Sequence, residues 1–439
     1  MGWADEEAEA DRLRALEARV EQLKSQVKQE YGDDQRQIND IKNHLKLNGF
    51  ISAAAEKLDG NSDASLYGVG NTLNTNSHSV VGVQLIAKTT DKYSFTIQLI
   101  SHGLEYHDTK TEWAYISYLP TRFDLIQAGR FRFPYYLLSQ YLEVGFAYPW
   151  VHPPVEVYNL NNTTLDGFQW THFENLASWD NQFSAYLGRS LAEEHQFNGV
   201  DFALDRAWGV SWLANKGEWT VRLGYNAASV NVSKQFPGGN VYDFAQAINQ
   251  INDASKLLNS MNPAFNLRTD FEAQTTGLFG AYESFALQYD DFSWLMMAEL
   301  AHLQVDKSTQ PAGDSGYILL GRRFGSWMPH ITFSKFYTDK KNEKFRQDYA
   351  NGFQRFADAL TTVGQADQAN AVEALITRLN LLNQAQQSYT LGVNYDLTSS
   401  AKLKLDVTQY EGFQGSHGRF DGDPGSRTTL YSFAIDAVF

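Results

Sequence analysis

The sequence predicts an all-β protein, a 16-stranded antiparallel transmembrane β-barrel preceded by an N-terminal α-helical coiled coil. Three observations predict it. Beyond about residue 47 the chain reads as sixteen short segments in which apolar and polar residues alternate. The connections between them are alternately short and long, as in a membrane barrel with both ends on the short-turn side. Before them the chain is charged, Ala-rich and free of Pro, with larger apolar residues at heptad spacing.

The heptad seam runs through Leu13, Leu16, Val20, Leu23 and Val27, is interrupted by Gly32-Asp33-Asp34, and resumes in a shifted register at Ile38, Ile41 and Leu45. An amphipathic helix packed on its own domain would also show apolar periodicity, but a narrow seam with charged flanks favours self-association. Leu and Val at a with Leu at d lean toward two strands, so packing rules leave the oligomer number open. If helical, residues 5–31 would span about 40 Å at 1.5 Å per residue, enough to reach toward a cell wall. Residues 5–44 are therefore expected to form a periplasmic coiled-coil segment and 45–439 the barrel.

The strands are expected at 46–57, 79–89, 92–102, 111–119, 122–132, 163–174, 182–190, 200–213, 217–229, 275–290, 292–305, 315–325, 327–338, 387–397, 400–411 and 427–439. Tyr93-Ser-Phe-Thr-Ile-Gln-Leu99 and Tyr389-Thr-Leu-Gly-Val-Asn-Tyr395 show the period of two. A soluble sandwich would also use many short strands, but it would need a second apolar layer, and that layer is missing; in a barrel, lipid supplies it. Trp113, Tyr115, Tyr118, Trp208, Trp212 and Trp327 are then expected as interfacial girdle residues. Two long connections have helical periodicity, Tyr242 to Met261 and Phe353 to Leu382, and fit helices laid over the mouth as lids or as trimer contacts.

The last strand, Leu430-Tyr-Ser-Phe-Ala-Ile-Asp-Ala-Val-Phe439, puts Tyr431, Phe433, Ile435, Ala437 and Phe439 on one face. In this the chain, from about Leu47 to Phe439, resembles bacterial outer-membrane porins, whose closing strand ends in an aromatic residue. With a heptad segment before the barrel it is similar to the DcaP-like porins, trimers with an N-terminal coiled coil that take up dicarboxylates. The resemblance implies a homotrimer in the bacterial outer membrane, in contact with its lipid and lipopolysaccharide, with the N-terminal segment in the periplasm.

Composition narrows the function. Lys+Arg number 36 and Asp+Glu 51, giving 36 − 51 = -15, so the basic face needed to bind nucleic acid is missing. Cys is 0, which excludes disulfides, thiolate catalysis and Cys-ligated metals. The mean hydropathy is -0.41, and no apolar run approaches the roughly 18 residues of a spanning helix. Met1-Gly-Trp-Ala-Asp5 has neither the basic start nor the apolar run of a signal peptide, although a processed, exported chain is allowed. There is no G-x-S-x-G and no H-E-x-x-H, so an enzyme is not expected, and no cofactor or metal is implied. Asp421-Gly-Asp-Pro-Gly425 lacks the remaining ligands of a calcium loop and reads as a turn.

The candidate site is the long connection 133–162. Pro134, Pro149, Pro153 and Pro154 stiffen it, and it carries Tyr135, Tyr136, Tyr141, Phe146, Tyr148 and Trp150. So apolar a loop is poorly solvated outside, and it matches in position the third loop that constricts general porins, so it is expected to fold into the lumen. Its charges are Glu143 and Glu156. On the strand before it, alternation groups Arg122, Asp124, Arg130 and Arg132, and an Arg at mid-membrane on the lipid side costs roughly 2–4 kcal/mol, so this face is expected to be lumenal. The same test assigns Arg222, Lys402 and Lys404 to the lumen. It fails at Arg206, where a bulge or a strand starting later is needed, and leaves Arg322-Arg323 ambiguous.

Arg130 and Arg132, supported by Arg122 and Arg222 and facing the acidic aromatic loop, would favour anions. Asp201, Asp205, Asp406 and Asp436 share the inward parity and work against this. The expected function is passive diffusion of small hydrophilic solutes, with anions such as dicarboxylates preferred. A weakly selective general porin, or a structural tether between outer membrane and cell wall, are the alternatives.

Overall fold

The computed structural model describes residues 44–60, 63–160, 162–192, 200–234, 244–272, 276–306 and 312–439. The expected coiled coil lies outside them. Sixteen strands close into one antiparallel barrel in which each pairs with its neighbours in sequence and the first pairs with the last. They are β1 Leu45–Asp59, β2 Val80–Lys88, β3 Tyr93–His102, β4 Thr109–Tyr118, β5 Asp124–Arg132, β6 Thr164–Leu176, β7 Trp179–Ala192, β8 Val200–Lys216, β9 Trp219–Lys234, β10 Leu278–Asp290, β11 Trp294–Val305, β12 Gly313–Arg322, β13 Trp327–Thr338, β14 Ala385–Thr398, β15 Ala401–Glu411 and β16 Arg427–Val438.

Side-chain alternation sets the two faces. In β13, His330, Thr332, Ser334 and Phe336 are buried toward the lumen, while Ile331 and Phe333 are exposed on the outside. The same outer belt collects Val83, Ile97, Leu223, Ile318, Leu391 and Phe433. An apolar band of this kind around a closed barrel is the surface that lipid covers. At the short-turn rim outward rings meet in pairs, Tyr93 and Tyr118 stacked with centroids 4.8 Å apart, Trp219 and Tyr289 tilted at 4.8 Å, and Trp327 and Tyr395 tilted at 4.6 Å. Trp208 and Trp327 are exposed outward as expected, but Trp113 and Tyr115 share the inner face with Ser117, so they are lumen residues and not part of a girdle. Their side is fixed by register: Tyr115 lies opposite Gly129, and Ser117 opposite the inward Gln127.

The β1–β16 ladder closes the barrel from Phe50 opposite Val438 to Asp59 opposite Thr429, and Gly49 extends it to the last residue. Gly49 N–H donates to Phe439 O at 2.8 Å and Phe439 N–H returns the bond to Gly49 O at 2.9 Å. A Cβ on Gly49 would stand 2.2 Å from the Phe439 ring, so glycine is what lets the terminal ring cover β1 in this position. The bulge expected near Arg206 is present: the β8–β9 register shifts between Asp205 and Trp208, and Arg206 has φ 50°. It turns Ala207 inward and Trp208 outward.

Among the described residues the long connections hold three α-helices, α1 Phe244–Met261, α2 Lys340–Thr362 and α3 Ala366–Leu381. The helix expected over Phe353 to Leu382 is thus two, divided at Gly364, whose φ of 81° lies in the left-handed region that ends helices. Asp339 caps α2 by accepting from Asn342 N–H at 2.7 Å. Ile248, Ile251, Phe271, Phe353, Phe356 and Leu379 form a core shared by the helices and separate from that of the barrel.

Candidate functional site

The loop 133–163 enters the barrel. Phe133, Tyr135, Tyr136, Leu138, Trp150 and Val157 are buried in one cluster with the inward residues Tyr186, Tyr282, Met297, Tyr317 and Leu319 of β7 and β10–β12. Phe133 and Tyr135 stack at 4.5 Å, and Trp150 meets Tyr317 edge-on at 5.4 Å. Rings buried this way contribute about 1.5–3 kcal/mol each, which explains why an aromatic loop leaves water for the lumen.

Polar groups on the wall then fix its path. Arg222 donates to Tyr135 O at 2.9 Å, to Ser284 Oγ at 2.8 Å and to Pro134 O. Glu299, fully buried, accepts from Leu137 N–H at 3.1 Å and Tyr158 O–H at 2.6 Å. Trp150 Nε1 donates to Thr332 Oγ1 at 2.8 Å, and Val151 N–H to Asp406 Oδ2 at 2.8 Å. Lys404 holds the loop tip, donating to Gly145 O at 2.5 Å and Trp150 O at 2.7 Å while paired with Asp436 at 2.8 Å. Glu156 is buried and accepts from Gln386 Nε2 at 2.7 Å.

The residues expected to form the constriction do not share one role. Arg132 is buried, 3.0 Å from Glu112 and 2.9 Å from Glu143, and Glu143 lies 3.4 Å from His102. Burial would raise the Glu143 carboxyl, but His102 and Arg132 outweigh it and hold the group below the usual carboxylate range. Burial pushes Tyr141 up to about 12, so its hydroxyl stays protonated. Tyr135 and Tyr136 serve in the aromatic core. Arg130 corrects the expectation. It lies opposite Asp166 in a register where Ala128 faces Phe168 and Ile126 faces Trp170, and these rings are exposed outside. Its Nε is 2.8 Å from Asp166 Oδ1, with both side chains nearly half exposed, and from this outward-facing position it reaches round the long-loop rim to Thr111, where its side chain joins the lining of the lumen cavity.

Asp124 shares that outward face and accepts from Trp170 Nε1 at 3.1 Å beside His172 at 2.9 Å, near the short turn. Arg122 sits in that turn, exposed over the Phe123 ring at 4.4 Å. The lipid penalty that placed all four inside falls to about 0–1 kcal/mol near the interfaces, which is where Arg122, Asp124 and Arg130 lie. Arg132 escapes the outward parity because the chain leaves the sheet beside it, Phe133 being already inside. Arg222, Lys402 and Lys404 are inward as expected. Arg323 pairs with Asp290 at 2.6 Å, and Arg322 lies over Trp294 at 4.7 Å.

Glu112 was not singled out by sequence reasoning. It is the extra residue where the β3–β4 register shifts between Gln98 and Leu99, and no local signal marks that shift. Glu299 was also missed, although its inward parity was readable; its partners come from the loop. Between the loop and the β1–β5 wall remains a cavity of 710 Å³ whose lining includes Ser52, His78, His102, Glu112, Glu143, Tyr148 and His152. Its lining mixes polar and apolar groups, carries both signs of charge through Lys110, Arg130, Glu112 and Glu143, and can admit a small hydrophilic solute.

No protein-family model matches the chain, and no curated protein matches it. Solved structures do. OmpF of Salmonella typhi is similar over 90% of this chain and 97% of its own, at 8% identity and TM-score 0.52. OprB of Pseudomonas putida is similar over 93% and 97%, at 10% identity and TM-score 0.50. The outer membrane channel DcaP of Acinetobacter baumannii is similar over 90% and 97%, at 9% identity and TM-score 0.47. At such identities the likeness is one of fold: the chain is a sixteen-stranded barrel of the outer-membrane type, with its third long loop folded inside.

Proposed function

We propose that this protein is a porin, a non-enzymatic channel for passive diffusion of small hydrophilic solutes across the bacterial outer membrane. One observation carries the reading: a closed barrel, apolar outside, keeps a cavity of 710 Å³ lined in part by charged side chains between its wall and an inward loop. A tether or a plugged barrel has no need of that space. On selectivity the charges favour the weakly selective reading over a dicarboxylate channel. Arg130 and Arg132 are matched by carboxylates and Arg222 is spent on loop carbonyls, so the arginines expected to serve anions have partners already. The homotrimer, the contact with lipopolysaccharide and the periplasmic, wall-directed coiled coil belong to the same proposal, as implied by the sequence. The test is conductance of the purified chain in a planar bilayer, with reversal potential across a salt gradient. Steady current with a small reversal potential is the expected result, and absence of current at any voltage overturns the channel.

A further inference from the structure

One cluster in the lumen anchors no part of the loop core and plays no part in the charge balance around Arg132. Glu56 comes from the inner face of β1, His78 from the first long loop and His152 from the third. Their ligating atoms lie within 4.8 Å of one another. Tetrahedral ligands at metal–nitrogen distances of about 2.0–2.1 Å are ~3.3 Å apart, so rotations that open the His78–Glu56 contact and draw His152 closer would seat all three around one ion. The imidazoles already stack, centroids 4.6 Å apart at 20°. His78 Nδ1 meets Glu56 Oε2, and His152 Nε2 lies 3.8 Å from Glu56 Oε1.

The surroundings orient these groups as ligands. His152 Nδ1 lies 3.2 Å from Pro153 O, a carbonyl that can only accept, so Nδ1 carries the proton and the Nε2 lone pair turns toward Glu56. Ser432 Oγ donates to Glu56 Oε1 at 2.7 Å, fixing the carboxylate from behind. Glu56 is 1% exposed, yet His78 and His152 are 21% and 11% exposed and line the cavity, which leaves an entry path.

We propose that Glu56, His78 and His152 bind a divalent transition-metal ion of the zinc type. Two imidazoles and one carboxylate suit such ions, whereas Mg²⁺ and Ca²⁺ take oxygen ligands. The bound ion ties the first and third long loops to the β1 wall, at the edge of the space through which solutes would pass.

The experiment titrates Zn²⁺ into the tag-free, chelator-stripped full chain in detergent, against a chromophoric competitor. The expected result is saturable binding of one Zn²⁺ per chain that excess Mg²⁺ does not displace. His78→Ala, His152→Ala and Glu56→Gln should each weaken it at least about tenfold, since even removing an outer-shell partner costs that much. His302→Ala, a change at a histidine paired with Asp314 at 2.8 Å, should leave it unchanged. Heat-modifiable mobility on gels confirms that each variant is a folded barrel. Absence of one-to-one binding, or wild-type affinity in folded His78→Ala and His152→Ala, overturns the proposal.

Discussion

Lys404→Met tests whether the lumen wall holds the third loop in place. Lys404 is 1% exposed, and its ammonium makes three contacts, with Gly145 O at 2.5 Å, Trp150 O at 2.7 Å and Asp436 Oδ2 at 2.8 Å. Hydrogen bonds from a charged donor contribute about 1.5–3 kcal/mol each, and stranding a buried carboxylate costs about 3–5 kcal/mol. These terms overlap, because all belong to one side chain, so a local loss of about 3–5 kcal/mol for the segment 145–151 is expected. At about 1.4 kcal/mol per tenfold, even the lower figure raises the open population of the loop tip about a hundredfold. Limited proteolysis at Phe146 or Tyr148, with single-channel recording alongside, reads this directly: faster cleavage and noisier, larger conductance are expected. Lys404→Met with Asp436→Asn removes the stranded charge and should recover part of the loss. A single variant whose cleavage rate and conductance match the wild type would refute the reasoning, since the loop would then be held by its rings alone.

Three further outcomes follow from the geometry. Arg132→Ala leaves Glu112 and Glu143 without their shared cation and should move the reversal potential toward cations, whereas Glu112→Gln with Glu143→Gln should move it toward anions; no movement in either would detach this cluster from the permeation path. Because the folded-state pKa of Glu143 is depressed, its stabilising contribution is complete above the unfolded value of about 4.3 and disappears as pH falls through the lower folded value. Loop protection from an acid protease should therefore persist to about pH 4 and fall below it, and Glu143→Gln should flatten that profile. Gly145→Val forces side-chain atoms into Asp436 and Ser52, which a Cβ alone would approach to 2.5 Å. The expected cost is about 1–3 kcal/mol from overpacking at the tip, visible as the same protease sensitivity as Lys404→Met.

The barrel itself was legible in the chain because its two governing constraints are local. Alternation has a period of two, and lipid penalises a wrong face, so Ile331 and Phe333 against Thr332 and Ser334 declare their sides without reference to any other strand. The break in parity at Arg206 was readable for the same reason, and the bulge stands there. That an aromatic loop would turn inward was likewise a matter of its own solvation. Which charges would meet was not local. Arg130 and Arg132 share parity and chemistry, yet one pairs with Asp166 outside and the other with Glu112 and Glu143 inside. The difference lies in where β5 leaves the sheet, in a register shift on β4, and in the path of a loop fixed by Arg222, Glu299 and Lys404 from three other strands. Glu56, His78 and His152 meet on the same terms. Most of these encounters join residues on different strands or loops, and only the closed barrel, which brings the strands and their loops around one lumen, sets the distances between them.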